Sequence, residues 1–596
     1  MPPGDHYHEA YLRALSSLLV DRKEGSIMAT DTSAVSTRPV DVGLKREMGL
    51  IGAMWASETS IIGSGWLFGS YFAATYLGPA AIWAWIAAGA IIIVLALVHA
   101  ELGGMYPVAG GTARFPHLAF GSGAGISFGF FSWLQAVTVA PIECYAIERY
   151  SQYWLDSPKI HIYDPISGNV THLGFIITIA LLAIMTAVNF FGMRLFNKVN
   201  AVITWWKVAI PVLAIIVLLF KFHSSNFSVQ GGLNPGSAFG APGPAGTGWH
   251  AFFYALPAAS IIFAYLGFEQ ADQLAGEIKD PQRNLPRAII GAILIGTLIY
   301  VMLQVVFIGA VPHNLISGHL GFAGIPATNA IAIGPFAGLA AVAGLAWLAA
   351  VLRADAFISP YGTGQIYMTS TSRVGYGLAR NRYYPSMFTK TDKNGVPWFS
   401  LVLGFVFGLV FLLPFPSWHS LVGLVTSASV LMYAGAPLAQ GAFRRVLPDA
   451  SRPYRMPGAV WLAPVAFILA NLIIYWSGFE VLWKLGVAII IGYLLILMHF
   501  SDNPHAPKVN WRRSTWLGVY LLGMGVISWQ GVYGPQNTGR LHFGWDALVV
   551  AVFSLVIYYW AMNSALSRSE IEDLVAQQSG GAADWEAQVT EGTATA

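Results

Sequence analysis

Hydrophobic residues dominate this chain in long runs that polar connections interrupt. A transmembrane helix needs about 20 consecutive, mostly apolar residues. Runs of this kind lie near 47–72, 77–101, 123–153, 173–192, 199–221, 250–276, 287–311, 331–371, 397–416, 420–442, 460–478, 480–499, 515–533 and 545–563. The pattern therefore predicts an all-α integral membrane protein with roughly 12–14 transmembrane helices.

The composition of the chain excludes several classes of protein. Charged residues make up only 10% of the chain and hydrophobic residues 56%, whereas a soluble globular protein carries about 25% charged residues. An ordinary water-soluble enzyme, a disordered scaffold and a nucleic-acid-binding protein do not fit these values. Cys144 is the single cysteine, so it has no second cysteine to pair with in a disulfide. One cysteine is also too few for a cysteine-based metal site. We expect no cofactor.

The positions of the basic residues predict the orientation of the chain. Lys and Arg accumulate in the cytoplasmic connections of membrane proteins. With the N-terminus placed inside, most of the 32 basic residues fall in the N-terminal tail and in connections on the same side, such as 373–393 and 444–455. We therefore predict a multi-pass protein of the cell membrane with both termini in the cytoplasm.

An uncharged connection at 222–248, rich in Gly and Pro, separates the first five spans from the next five. It marks a seam between two structural repeats. The last residues are acidic and rich in Gly and Ala, without apolar periodicity, which is typical of disorder. The predicted parts are a cytoplasmic tail at 1–46, a core domain at 47–500 (repeat one 47–221, repeat two 250–442, helices eleven and twelve 460–499), two extra helices at 501–563 and a disordered cytoplasmic tail at 564–596.

Two spans carry helix-breaking residues at matching depth. The first span contains Gly63, Ser64 and Gly65, and each glycine weakens a helix by about 1 kcal/mol relative to alanine. The sixth span contains Pro257 and then the run 263–267. Interrupted spans in corresponding positions indicate a secondary transporter built from inverted repeats, in which freed N–H groups bind a carboxylate and freed C=O groups bind cations. The alternative is that the glycines only let helices pack closely.

Several sequence motifs match a known family. IIGSGW, AELGGMYPVAGG, FAYLGFE with AGEIKDPQRNLPRAI, TSTSRVGYGLARNRYYP and RPYRMPG resemble motifs of the amino acid–polyamine–organocation (APC) superfamily over about residues 45–500. TWWK in the fifth span, SPYGTGQIY in the eighth and the two extra C-terminal spans most resemble the aspartate–proton symporter-like branch. The resemblance implies a LeuT-type 5+5 inverted-repeat core of ten helices, followed by about four additional helices.

The same resemblance implies a substrate site at the two helix breaks. The residues that would receive the α-carboxylate are Ile62, Gly63, Ser64 and Gly65. Those that would receive the α-ammonium and supply an aromatic gate are Phe263, Ala264, Tyr265 and Gly267. Trp66 stands where many relatives carry Ile, so the size of the pocket, and with it the substrate side chain, stays open.

Among the ionisable residues at membrane depth, four are candidates for a functional role, namely Lys207, Asp355, Arg353 and Glu58. A charge at the bilayer centre costs at least about 2.5–3.5 kcal/mol, so each is a functional candidate. Relatives place a lysine of the fifth helix against the first and eighth helices, where sodium-coupled members hold sodium, and this implies proton coupling through Lys207. We expect Asp355 to face Lys207, Arg353 to face the substrate cavity or another acid, and Glu58 to relay protons or pair with Arg353. Structural pairing is the alternative for each of them, and for Glu58 so are hydrogen bonds from neighbouring hydroxyls.

These observations predict a secondary active transporter that imports an amino acid with a proton by alternating access. The branch resemblance favours an acidic substrate, aspartate or glutamate. The alternatives are an amino acid/amine antiporter and a permease for neutral or cationic amino acids. A transporter-shaped receptor would not need buried charges, and a membrane enzyme would need a nucleophile–base or metal set that the motifs do not supply. The predicted partners are the amino acid, the proton and the lipid bilayer.

Overall fold

Helices form the regular secondary structure of the part of the chain that the structure describes, apart from isolated β-bridges. The structure is a computed structural model. It describes residues 48–107, 111–156, 160–164, 169–190, 193–239, 246–275, 278–502, 509–535 and 539–576, with the backbone alone at 193–202 and 501–502. The predicted tail at 1–46 and the end of the predicted C-terminal tail lie outside these residues. An all-α chain is confirmed for the described part.

The helices follow one another with short connections. Those of the first half are α1 (Leu50–Ile61), α2 (Ser64–Leu77), α3 (Ala81–Met105), α4 (Gly111–Phe120), α5 (Ser122–Leu155), α6 (His172–Asn189) and α7 (Met193–Leu218). Those of the second half are α8 (Trp249–Ala258), α9 (Ile261–Ala264), α10 (Gln270–Gln273), α11 (Pro281–Ala310), α12 (Ala330–Ile333), α13 (Pro335–Val342), α14 (Ala346–Arg380), α15 (Trp398–Leu412), α16 (Trp418–Tyr433) and α17 (Gly435–Val446). The C-terminal part adds α18 (Ala459–Trp476), α19 (Phe479–Asp502), α20 (Thr515–Gln530), α21 (Trp545–Asn563) and α22 at 568–576.

Within the described residues, nine helical segments are long and apolar enough to cross a membrane. Large apolar side chains cover the outer faces of α19 and α21, where Ile490, Leu494 and Val556 are each more than half exposed. Apolar surface of this extent marks a contact with lipid or protein, because soluble monomers rarely expose it to water. The chain is therefore a multi-pass membrane protein.

Most predicted spans coincide with helical segments, and clear differences lie at 331–371 and 397–416. The run at 331–371 is not one span, because the backbone turns at Gly344, whose φ is +78°, a conformation that favours glycine. Pro335 begins α13, as expected from its fixed φ. The run at 397–416 is represented by α15, which has only 15 residues. Turn residues inside apolar runs thus divided helices that hydrophobicity alone would join.

Two long helices organise the interior. α5 is buried along most of its length and packs against α4, α14 and α16. α11 packs along α3 and α1. The short helix α1 also contacts α7 and α14, and α2 contacts α9. The first two helices therefore lie between the elements grouped around α5 and those grouped around α11.

The disorder predicted for 564–596 is wrong for the first part of that segment. α22 is helical, and Leu566, Ile571 and Val575 are buried. The amide of Leu566 donates to the carbonyl of Ala119 at the end of α4 (2.9 Å). Apolar residues four apart on a helix share one face, so burial of this face against α4 and its neighbours orders a segment whose composition looks unstructured.

A buried ion-pair cluster joins α3 to α17. Glu101 is only 1% exposed, and its carboxylate accepts hydrogen bonds from Arg444 Nε (2.9 Å) and Nη2 (2.5 Å). The amide of Met456 donates to the same carboxylate (2.7 Å), and Arg452 Nε lies 3.5 Å from it. One carboxylate therefore ties together two helices and the segment that follows α17.

We expect Glu101→Gln to destabilise the protein by about 3–5 kcal/mol, because removing one partner of a buried ion pair leaves its charged partners uncompensated. The matched control is Glu480→Gln, which breaks an exposed pair with Lys484 (3.2 Å) worth about 0.3–0.5 kcal/mol. The apparent melting temperature of both purified variants in detergent measures the difference. Equal melting temperatures would contradict a stabilising role for the Glu101 cluster.

Candidate functional site

The first helix break lies at Ile62 and Gly63. After α1, Ile62 takes φ −83° and ψ 79°, Gly63 takes φ −112° and ψ −140°, and α2 begins at Ser64. A Cβ atom on Gly63 would lie 2.8 Å from a carboxylate oxygen of Glu143 and 2.9 Å from Thr363 Oγ1. Only glycine leaves room for both groups, and the break predicted from the Gly-Ser-Gly sequence is confirmed.

The second break lies between α8 and α10. Ser260 has a positive φ of 68°, and Gly267 has φ 119°. A Cβ atom on Gly267 would lie 2.7 Å from the backbone carbon of Ser60, and one on Gly65 would lie 2.7 Å from Cα of Ala264. The two breaks therefore pack directly against each other, at the matching depth that the sequence predicts.

The paired breaks border a small cavity. Its volume is about 10 Å³, which is room for about one water molecule. The cavity is lined by Ser60, Ile61, Gly63, Gly65, Val139, Glu143, Phe263, Leu266, Thr363 and Tyr367. A molecule as large as an amino acid requires helix movement to enter, so the cavity is closed in this structure.

The Lys207 ammonium is bound at the first break. The side chain is completely buried, and Nζ donates to the carbonyl oxygen of Thr59 (2.5 Å) and to Thr363 Oγ1 (2.7 Å). Thr363 Oγ1 lies 3.1 Å from the same carbonyl. One ammonium thus connects α7, α1 and α14, which is the arrangement that the family resemblance implies.

A second charged group, Glu143, contacts the other side of this break. Its Oε2 accepts a hydrogen bond from the backbone N–H of Ser64 (3.0 Å), whereas Oε1 is buried without a hydrogen-bond partner. Sequence reasoning assigned no role to this residue. The available signal was its carboxylate inside a membrane span, which is costly and therefore a functional candidate.

Further side chains satisfy the remaining peptide groups at the breaks. The hydroxyl of Tyr300 donates to the carbonyl of Ile61 (3.0 Å). At the second break, the amide of Gly267 donates to Glu269 Oε2 (2.9 Å), and the Tyr433 hydroxyl donates to the same oxygen. Glu269 thus braces helices, because its carboxylate joins α16 to the second break.

Asp355 lies on the same helix as Thr363 but does not pair with Lys207. Its Oδ1 accepts hydrogen bonds from Trp206 Nε1 (2.9 Å) and Ser359 Oγ (2.6 Å), and its Oδ2 is buried without a partner. Asp355, Ser359 and Thr363 are spaced by four residues and share one face of α14. Hydroxyl groups therefore line the helix face between the aspartate and the lysine.

Glu58 and Arg353 are found apart. Glu58 is completely buried and neither carboxylate oxygen has a hydrogen-bond partner, because the neighbouring hydroxyls donate to backbone carbonyls instead. The Arg353 guanidinium lies 3.3 Å from the ring centroid of Tyr153, at the end of α5 and away from the cavity lining. The expected contacts of Arg353 with the cavity or with Glu58 do not form in this structure. Its position two residues from Asp355 turns it to another helix face.

The aromatic residues of the predicted site face different ways. Phe263 lines the cavity, as expected of a gate. The Tyr265 hydroxyl donates to the carbonyl of Trp85 (2.9 Å), so its ring packs towards α3 instead. The Trp66 ring packs on Phe336, with centroids 5.2 Å apart, and does not line the cavity. The Trp66 side chain therefore does not border the cavity directly.

An aromatic lid from α16 covers one side of the first break. Trp418 follows the capping residue Ser417, and its Nε1 donates to Ser64 Oγ (2.9 Å). The ring packs against Phe68 (centroids 4.5 Å apart) and Phe263 (6.0 Å). Sequence reasoning missed this contact because Trp418 lies far from the break along the chain.

Comparison with known proteins agrees with this geometry. The family model for amino acid permeases matches residues 48–496. The chain is 35% identical over 538 residues to the glutamate/serine transporter AimA of Bacillus subtilis (strain 168), which covers 89% of this chain and 96% of that transporter. It is also 35% identical over 537 residues to the aspartate-proton symporter of the same strain. This match covers 89% of this chain and 98% of that symporter. The chain belongs to the amino acid permease family.

This membership confirms the predicted family and a transporter rather than an enzyme. A more distant relative, the large neutral amino acids transporter small subunit 2 of Mus musculus, is 27% identical over 476 residues, which are 78% of this chain and 83% of that protein. The helix breaks, the closed cavity and the buried lysine therefore belong to an amino acid permease.

We expect Gly65→Ala to impair this permease strongly, because its new Cβ would collide with the backbone of Ala264. Overpacking costs about 1–3 kcal/mol, and a cost of this size in the substrate-binding state lowers substrate affinity about 5- to 150-fold. The matched control is Gly377→Ala in α14, where no atom lies within 4 Å of the added Cβ. Uptake of radiolabelled amino acids by both variants in liposomes measures the effect. Full activity of Gly65→Ala would show that the contact between the breaks is not required.

Proposed function

We propose that this permease imports an acidic amino acid together with a proton. The observation that carries the proposal is the Lys207 ammonium bound at the break of α1. It occurs in a chain 35% identical to an aspartate-proton symporter and to a glutamate/serine transporter. A buried cation that joins three helices at an unwound segment can link its protonation to their movement.

We infer that α1 to α17 form a LeuT-type core of two inverted five-helix repeats, followed by four more transmembrane helices. The support is the pair of matched breaks and the close approach of Gly65 to Ala264. The distribution of basic residues supports cytoplasmic termini. In alternating access, the group around α1, α3 and α11 would rock against the group around α5 and α14.

The substrate is proposed to bind through its backbone groups at the breaks. An unwound helix segment offers N–H groups to a carboxylate and C=O groups to a cation. The proposed carboxylate contacts are Ile62, Gly63, Ser64 and Gly65, and the proposed ammonium contacts are the backbone groups of Phe263, Ala264, Tyr265 and Gly267. The Ser64 amide already holds a carboxylate, that of Glu143, which supports its suitability for such a group.

Proton coupling is proposed to involve Lys207, Asp355 and Glu58. Loss of the proton from Lys207 would remove the positive charge that attracts the carbonyl of Thr59 and would weaken the link between α7, α1 and α14. Asp355 lies two helical turns from Thr363 on α14 and contributes negative charge on that face. Glu58, buried without hydrogen-bond partners on α1, would provide a further proton site.

We expect Lys207→Ala to abolish proton-driven accumulation. Reconstituted wild-type protein should concentrate L-glutamate or L-aspartate inside liposomes when the outside is acidic, and Lys207→Ala should only equilibrate it. Lys221→Ala is the matched control, because Lys221 lies in the turn that follows α7 and is exposed. Radiolabelled uptake with and without the pH gradient measures both.

Three outcomes of this experiment would contradict the proposal. Accumulation that persists in Lys207→Ala would remove Lys207 from the coupling. Uptake that requires sodium and ignores the pH gradient would remove the proton. Counterflow without any response to the gradient would identify an exchanger, and competition by neutral or cationic amino acids in a substrate panel would replace the acidic substrate.

A further inference from the structure

A carboxylate of the protein occupies the place proposed for the carboxylate of the substrate. Glu143 Oε2 accepts the Ser64 N–H at 3.0 Å, at the start of α2, where helix N–H groups lack intrahelical partners and favour anions. The Glu143 side chain is 1% exposed and lines the cavity. The Ser64 amide cannot hold this carboxylate and a substrate carboxylate at the same short distance.

The second carboxylate oxygen of Glu143 has no partner. Oε1 is buried without a hydrogen bond and faces the unwound backbone. A Cβ atom added to Gly63 would lie 2.8 Å from this oxygen. A buried carboxylate with unfilled hydrogen-bonding capacity is costly, and protonation lowers that cost. The carboxylate therefore depends on the Ser64 amide, and its displacement would leave a group that requires a proton.

We propose that the substrate and Glu143 compete for the Ser64 amide, and that Glu143 takes up the transported proton when the substrate displaces it. This inference rests on the proposed function and adds to it the residue that makes substrate binding and proton binding interdependent. The glutamate acts as an internal stand-in for the substrate carboxylate whenever the site is empty.

The proton balance of the cycle is simple. A proton from the outer solution forms an O–H bond on the Glu143 carboxylate, and the substrate carboxylate accepts the Ser64 N–H in its place. After inward opening, the substrate leaves, the O–H bond of Glu143 breaks and the proton passes to the inner solution. The Glu143 carboxylate then accepts the Ser64 N–H again. Glu143 thus carries one proton for each substrate molecule.

The surroundings of Glu143 fit a proton site. The titratable groups near it on the neighbouring helices are Lys207 on α7, Tyr300 on α11 and Tyr367 on α14. Lys207 in turn interacts with Asp355, and Tyr300 with Glu58. Lys207 is the basic member of this set. Its ammonium donates a hydrogen bond to Thr363 Oγ1 on α14. Thr363 Oγ1 and Glu143 Oε1 both lie next to Gly63, so this hydroxyl offers a short route between Lys207 and Glu143.

The decisive variant is Glu143→Gln, which keeps the shape of the neutral acid and cannot exchange a proton. In wild-type liposomes, we expect the KM for radiolabelled L-glutamate to rise about tenfold per pH unit above the titration of Glu143, because one proton is linked to binding. In Glu143→Gln, KM should be independent of pH, counterflow should persist, and gradient-driven accumulation and substrate-induced proton uptake, followed with an internal pH dye, should be lost.

The matched control is Glu148→Gln. Glu148 lies on the same helix, is completely buried and accepts a hydrogen bond from Thr178 Oγ1 (2.5 Å), but it does not line the cavity. We expect it to keep the wild-type pH dependence and proton uptake. If Glu148→Gln also loses proton coupling, neutralising any acidic residue of α5 has this effect, and the assignment to Glu143 is overturned.

A second variant decides the question if Glu143→Gln does not fold or transport. Glu143→Asp keeps a titratable carboxylate but is shorter by one methylene, so it reaches the Ser64 amide less well and competes less. We expect a lower KM for L-glutamate than wild type at alkaline pH, with proton uptake retained. A general defect would raise KM instead, and an unchanged or higher KM would overturn the competition.

The failure of this inference differs from the failure of the proposed function. If the wild-type protein moves neither amino acids nor protons, the proposed function fails and the inference fails with it. If the wild-type protein couples L-glutamate to protons and Glu143→Gln keeps that coupling or the wild-type pH dependence, the function stands and only the role of Glu143 is overturned.

Discussion

The break in the first helix is the constraint on which the interior of this permease depends. Where a helix unwinds inside a membrane, its peptide groups lose their partners, and no water is at hand to replace them. Here three different helices supply the replacements. Lys207 from α7 holds the Thr59 carbonyl, Tyr300 from α11 holds the Ile61 carbonyl, and Glu143 from α5 holds the Ser64 amide. The unwound segment is therefore a junction at which side chains from α5, α7 and α11 meet the backbone of the first break.

The same constraint explains why charged residues are few and where they lie. Two of the buried charged groups, Lys207 and Glu143, bind the backbone of the first break, which an uncharged side chain would do less well. The ammonium of Lys207 supplies donors to a carbonyl and a hydroxyl, and the carboxylate of Glu143 accepts an amide at a helix start. If the substrate binds at the break as proposed, its carboxylate has to replace that of Glu143 at the Ser64 amide. Substrate binding and the charge state of the protein would thereby be connected.

The sequence predicted the positions of the helix breaks well, but it identified only some of the side chains that bind there. Gly63 and Gly65 identified the first break because a helix tolerates paired glycines poorly, and Lys207 was found because an intramembrane lysine is rare. Arg353 was expected near the cavity from depth alone, yet it packs on Tyr153, because depth does not determine which face of a helix a residue occupies. Glu143 had the same depth signal, and its role appeared only when its distance to the Ser64 amide was known.

By itself, the sequence determined that the chain is an all-α membrane protein of the amino acid permease family, with two interrupted helices at matching depth. Hydrophobic length and glycine content are local properties, so they can be read along the chain. Only the tertiary structure decided that Trp418 covers the first break, that Asp355 does not pair with Lys207, and that Glu143 holds the Ser64 amide. These contacts join residues far apart in the chain, and hydrogen bonds depend on distances of about 3 Å that only the packing of helices establishes.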